Sequence, residues 1–264
     1  NAVYAHGSAA PENSYNEILN NNIYDFFNAG SSCNGIYLRG LNTHWTISGN
    51  KLFQRAARQF AVTPNSVYTG IKVEGDAGTP GENFIISGNI IGFSSSASGG
   101  LTTIGGADAG GLLNKIRGID IINTGLITPS SIQGNTIGGF AHTSNYNNPF
   151  KAEAAFMGIT AGHNGTGKYH IGNITANTIG SQSSNTITLT HGGTIEDQAW
   201  AIGIYDGSAS ADSIFNNTIG GITINGSGNA LNFTGICVAG FSGTGNVAVK
   251  NNTIGGSTAA GSVN

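Results

Sequence analysis

Isoleucine and asparagine recur along the chain in fixed phase. A segment of the form I-x-x-N-x-I/L, with valine for the first isoleucine in the last copy, occurs seven times, with its asparagine at Asn21, Asn50, Asn89, Asn135, Asn177, Asn217 and Asn252. Four copies read N-T-I-G, as in Asn135-Thr136-Ile137-Gly138. A second segment, G-I-x-x, alternates with it, starting at Gly35, Gly70, Gly118, Gly158, Gly203 and Gly235. In Gly118-Ile119-Asp120-Ile121 apolar and polar residues alternate, the period of a half-buried strand. In Ile132-Gln133-Gly134-Asn135-Thr136-Ile137 two short strands meet at Gly134-Asn135, residues that tolerate the left-handed backbone of a sharp bend. Each repeat thus predicts three short strands, and no single repeat can bury its apolar face alone. Stacking does so, each strand pairing in parallel with its equivalent in the next coil. Ile119, Ile132 and Ile137 would then belong to internal aliphatic columns, and the asparagine amides to an internal ladder that satisfies buried polar groups.

The pattern resembles the parallel β-helix repeat of the pectate-lyase-like superfamily, and the resemblance covers Ile18 to Gly256. It implies an all-β fold: a right-handed parallel β-helix, a three-sided solenoid of about six to seven coils with an internal asparagine ladder. Residues 1–17 read as an N-terminal extension or partial cap, 18–256 as the solenoid, and 257–264 as a tail or the start of a further coil. The N-T-I-G-G wording is also similar to repeat arrays in large secreted bacterial surface proteins of Bacteroidetes type. That similarity implies an extracellular or cell-surface location.

Composition narrows the class. Of 264 residues 43 are glycine and only 23 are charged, which excludes a helical bundle and a charge-rich disordered chain. The net charge of −3 and scattered basic residues argue against nucleic acid as a partner. No apolar run reaches the roughly 18 residues of a membrane span. Cys33 and Cys237 fall five coils apart, roughly 24 Å at the interstrand spacing, too far for a disulfide within one chain.

The intervals between motifs vary mainly after the N-x-I-G strand, so inserts should project along one side as a candidate contact face. Arg55, Arg58, Tyr146, Phe150 and Trp200 lie in or beside these inserts. Leu52 to Phe60 reads as a short helix, whereas Thr186 to Thr190 and Ile222 to Ile224 alternate like strands.

Superfamily enzymes work on the outward positions of one strand. Here the outward column of the G-I strand reads Tyr37, Lys72, Asp120, Thr160, Tyr205, Cys237, and its polar concentration is Arg39, Lys72, Glu74, Asp76 and Asp120. Paired carboxyls could serve a glycoside hydrolase, or a base beside carboxylates a lyase. Alternating charges on neighbouring strands are equally what surface ion pairing produces. None of the family's catalytic motifs is matched, so no catalytic residue carries over. No metal spacing appears among the histidines, and no cofactor is expected, calcium entering only under a lyase reading. Asp206 takes the inward place filled by Leu38, Val73 and Ile121, which suggests that its strand ends early in an Asp206-Gly207 turn.

The expectation is an extracellular structural or adhesive solenoid segment of a larger bacterial surface or filament protein. Its partners would be flanking segments of the same chain or end-on copies, with surface polysaccharide on the inserts. The alternative is a lyase or hydrolase of acidic polysaccharide.

Overall fold

The computed structural model describes residues 1–8, 12–61, 65–76, 81–106, 114–122, 124–146, 148–163, 165–191, 199–208, 210–226, 231–239 and 245–256. Within them the chain is a parallel β-helix. Sheet 1 stacks Val3–His6, Cys33–Arg39, Ser66–Glu74, Asn114–Ile122, Phe156–Ala161, Ala199–Asp206 and Leu231–Val238. Sheets 2 and 3 each hold seven strands in the same coil order, running from Glu17–Leu19 to Ala248–Lys250 and from Asn22–Tyr24 to Thr253–Ile254. Pairing is parallel throughout, for example Ile71↔Ile119, Ile119↔Ile159 and Ile159↔Ile204.

The G-I motif has a steric cause. Ile71, Ile119, Ile159 and Ile204 are fully buried, and the preceding glycine faces inward too. A Cβ on Gly118 would stand 2.8 Å from Ile137 Cγ2 and 2.5 Å from the Gly158 carbonyl oxygen. Gly70, Gly158, Gly203 and Gly235 meet the motif isoleucine of sheet 3 in the same way. Two consecutive residues turn into the core here, and only one of them has room for a side chain.

The motif asparagines sit between sheets 2 and 3. Asn135 Oδ1 accepts from both the backbone N–H and the Nδ2 of Asn89, each at 3.0 Å. Asn135 passes the same pair of bonds to Asn177 Oδ1 and donates through Nδ2 to the Ile86 carbonyl at 2.9 Å. The same hydrogen bonds link Asn21 to Asn50, Asn50 to Asn89, Asn177 to Asn217 and Asn217 to Asn252. From Asn50 to Asn217 these residues are fully buried.

Two expectations are corrected. Leu52 to Phe60 is not a helix: Lys51–Phe53 belongs to sheet 3, and Arg58–Phe60 opens a fourth parallel sheet. That sheet continues through Thr102–Gly106, Phe140–Ser144, Ile187–His191 and Ile222–Gly226, so part of the insert sequence becomes strands of the solenoid. Pairing with Thr102–Gly106 and burial of Phe60 outweigh the helical propensity of Arg-Ala-Ala-Arg. The strand at Asp206 does not end early: it runs through Asp206, which pairs with Ala161 and Val238. Part of the 1–17 extension also enters the stack. Val3–His6 pairs in register with Ile36–Arg39 and is a degenerate G-I strand, and Asn13–Ser14 pairs with Asn42–Thr43. The 257–264 tail lies outside the described residues. Among the described residues no helix is long and apolar enough to cross a membrane.

Candidate functional site on the outer face of sheet 1

Register places the outward column as the sequence implies: Tyr37↔Lys72, Lys72↔Asp120, Asp120↔Thr160, Thr160↔Tyr205 and Tyr205↔Cys237 are direct neighbours. Exposure differs sharply along it. Tyr37 and Lys72 remain half-buried, whereas Asp120, Thr160, Tyr205 and Cys237 are buried. The cover is the segment before Phe156–Ala161, which carries a short 3-10 turn, Lys151–Glu153. Its Ala152 and Ala154 pack with Met157, Ile202, Tyr205 and Cys237 in a small apolar cluster separate from the lumen. Arg117, 3% exposed, ties the segment down, because its Nη1 donates to the Ala154 carbonyl at 2.7 Å and to Ile116 at 2.9 Å. Lys115 Nζ reaches Glu153 Oε2 at 2.6 Å, Tyr146 donates to the same oxygen at 3.3 Å, and His163 Nε2 lies 3.5 Å from Oε1. The contact with His163, ahead of opposing burial and the Lys115 bond, holds the Glu153 carboxyl well below its ordinary range.

The uncovered half holds a second cluster. Tyr37 donates its hydroxyl to Glu74 Oε2 at 2.6 Å, and Lys72 Nζ lies 2.8 Å from the same oxygen and 5.0 Å from the Tyr37 ring centroid. Burial works against ionisation of Glu74, yet the bonds from Lys72 and Tyr37 win and lower its pKa. Burial and the Glu74 bond push the Tyr37 phenol up. Arg39 is exposed and lies beside Glu74 in register, while Asp76 is exposed past the strand end.

Asp120 marks the boundary between the two halves. It is 9% exposed, its Oδ1 is buried without a hydrogen-bond donor, and burial raises its pKa against the pull of Lys72, Arg117 and His163. Glu74 and Asp120, on adjacent strands, are thus displaced in opposite directions, one ionised and one biased to the acid form. Such separation is what acid–base pairs require, although buried ion-pair networks produce it as well.

The insert residues do not converge on one surface. Arg55 and Arg58 both pair with Asp25, at 2.6 and 3.0 Å, and Arg55 lies over the Tyr24 ring at 4.3 Å. Tyr146 is buried against the main core, Phe150 is 70% exposed, and Trp200 lies beneath Lys151 at 4.8 Å. The cover was not legible in the residues, because it depends on where an insert folds back. Its only sequence sign is the Lys115–Arg117 pair, two basic residues in a strand that lines a core.

The calcium implied by a lyase does not fit this face. Glu74 is engaged by Lys72 and Tyr37, Asp120 is buried, and among the described residues no three His, Cys, Asp or Glu side chains gather to hold a metal. Cys33 and Cys237 are buried free thiols. No family model matches the chain, and comparison with curated proteins and with solved structures gives no match.

Proposed function

We propose that the chain is a structural or adhesive β-solenoid segment of a larger extracellular bacterial surface or filament protein. The observation that carries this reading is the fourth sheet. Five insert segments between 58 and 226 become parallel strands in register, so this part of the variation in the repeat extends the side wall. A low-charge wall of stacked strands suits a stiff rod whose flank is a contact surface, with surface polysaccharide as the ligand class. The N-T-I-G-G repeats and their likeness to secreted surface proteins support the same reading, and kinship with pectate-lyase-like proteins is proposed on the same repeats. The test is an immunoblot of the intact parent chain in its native source, together with retention of the 26.8 kDa segment on immobilised polysaccharides. A parent several times larger and surface-exposed on cells is expected. A cytoplasmic parent overturns the reading.

One observation favours a second reading, an enzyme acting on acidic polysaccharide: Asp120 beside Lys72, with Glu74 one strand away. Cleavage of polyuronate or sulfated glycan that disappears in both Asp120→Asn and Lys72→Met would replace the structural reading with this one. Intact substrate after prolonged incubation would remove it.

A further inference from the structure

Residues 148–154 lie over part of the outer face of sheet 1 without joining it. Their backbone bonds are local: the Phe150 N–H donates to Asn148 Oδ1 at 2.9 Å, Glu153 to the Phe150 carbonyl at 2.9 Å and Ala154 to the Lys151 carbonyl at 3.1 Å. Among the described residues no backbone group from 148 to 153 bonds a neighbouring coil; such bonding begins at Ala155, whose N–H donates to the Trp200 carbonyl at 2.9 Å. Side chains hold the segment instead. Lys115 Nζ meets Glu153 Oε2 at 2.6 Å, Tyr146 donates to the same oxygen at 3.3 Å, and His163 Nε2 lies 3.5 Å from Oε1. Arg117 donates to the Ala154 carbonyl at 2.7 Å, and Lys151 lies over the Trp200 ring at 4.8 Å. The apolar contact is two alanines, Ala152 and Ala154, against Met157, Ile202, Tyr205 and Cys237. Two methyl groups bury little area, so charge fixes this segment more than packing does.

Closure also strands polar atoms. The hydroxyl of Tyr205, a fully buried residue, has no hydrogen-bond partner, and neither has the buried Nε1 of Trp200. A buried polar atom without a partner costs free energy that contact with water restores. The closed arrangement therefore sets a charged clasp at Glu153 against two dry polar atoms beneath it, and both effects reverse when the segment lifts. We propose that residues 148–154 are a strap with a closed and an open position, clasped by Glu153 on Lys115 and His163, and that it controls access to Thr160, Tyr205, Cys237 and Trp200. Thr160, Tyr205 and Cys237 continue the outward column that begins with Tyr37 and Lys72, so opening lengthens the accessible face of sheet 1. Salt favours the open position, because screening weakens the clasp and leaves the apolar contact in place.

The whole 264-residue chain carries its own reporters, since the free thiol of Cys237 packs with the strap and that of Cys33 lies in the main core. Alkylation by iodoacetamide under native conditions, mapped by peptide mass, reads exposure at each thiol, and hydrogen exchange follows the amides of Glu153 and Ala154. In the natural chain Cys237 should react well before Cys33, in step with exchange at 153–154, and faster as NaCl is raised. Glu153→Gln and Lys115→Met each remove a charged hydrogen bond and should speed Cys237 about tenfold with Cys33 unchanged. Tyr205→Phe removes a stranded hydroxyl and should act in the opposite direction, slowing Cys237. Cys237 and Cys33 reacting at one rate, in the natural chain or in these variants, would mean that only global unfolding uncovers the column, which overturns the strap. Equal Cys237 rates in the natural chain, Glu153→Gln and Tyr205→Phe overturn it as well. So does fast alkylation without matching exchange at 153–154, which assigns the reactivity to fraying of Leu231–Val238.

Discussion

At the residue scale the fold depends on two side chains with opposite requirements, the glycine that must have no Cβ and the asparagine that must have its amide. Asn135 uses both ends of that amide. Replacing it with alanine leaves the Asn89 N–H, the Ile86 carbonyl and Asn177 Oδ1 short of partners in a buried seam. Each unsatisfied buried group costs about 1–3 kcal/mol, so Asn135→Ala should destabilise by at least about 3 kcal/mol. Asn21→Ala should cost less, about 1 kcal/mol or below, because Asn21 is exposed and its amide oxygen accepts nothing from an earlier coil. Urea unfolding of both variants measures the difference, and equal losses would show that the seam is solvated. Both residue types were legible because their requirements repeat in every coil. Asp206 was misread for the complementary reason: it occurs once, and a lone carboxyl at an apolar position looked like a turn.

At the element scale sheet 4 shows what the sequence could and could not disclose. Ile187–His191 and Ile222–Gly226 alternate and read directly as strands. Arg58–Phe60 did not, because its strand character comes from its neighbour rather than from its own residues. The outward column of sheet 1 was correct in register and wrong in exposure, since the Lys151–Glu153 segment folds over half of it. Sheet 4 also carries a pH dependence. His142 faces inward, its Nε2 is 2.7 Å from Asn114 Oδ1, and burial, aided by the positive charge of Arg117, lowers its pKa to about 3. The unfolded chain titrates this group near 6.5, so between these values the unfolded state binds the extra proton and stability falls as pH falls. The contribution is complete above about 6.5 and is lost progressively towards 3. His142→Gln keeps a polar group near Asn114 without the titration. Its unfolding free energy between pH 6.5 and 4 should slope less steeply than that of the natural chain, while the two curves run parallel above pH 7. Parallel curves throughout would place the histidine outside this linkage.

At the scale of the whole molecule, stability is a sum over neighbouring coils, so the cost of one defect depends on how many neighbours share it. Ile137 and Ile254 test this with the same residue in the same column of sheet 3. Ile137 is fully buried between Ile91 and Ile179. Among the described residues Ile254 pairs with Ile219 on one side only, and it is 52% exposed. Ile137→Ala should cost about 2–5 kcal/mol and raise amide exchange in both flanking coils. Ile254→Ala should cost less than about 1 kcal/mol and leave exchange before residue 210 unchanged. The comparison also bears on assembly. In dilute solution the asymmetry should be large, and an end-on partner would cover Ile254 and raise its cost with protein concentration. A concentration-dependent Ile254→Ala effect beside a constant Ile137→Ala effect is therefore the signature of coils joining end to end, as a filament segment requires. An Ile254→Ala cost that is small at every concentration would show that the coils do not join end to end in solution.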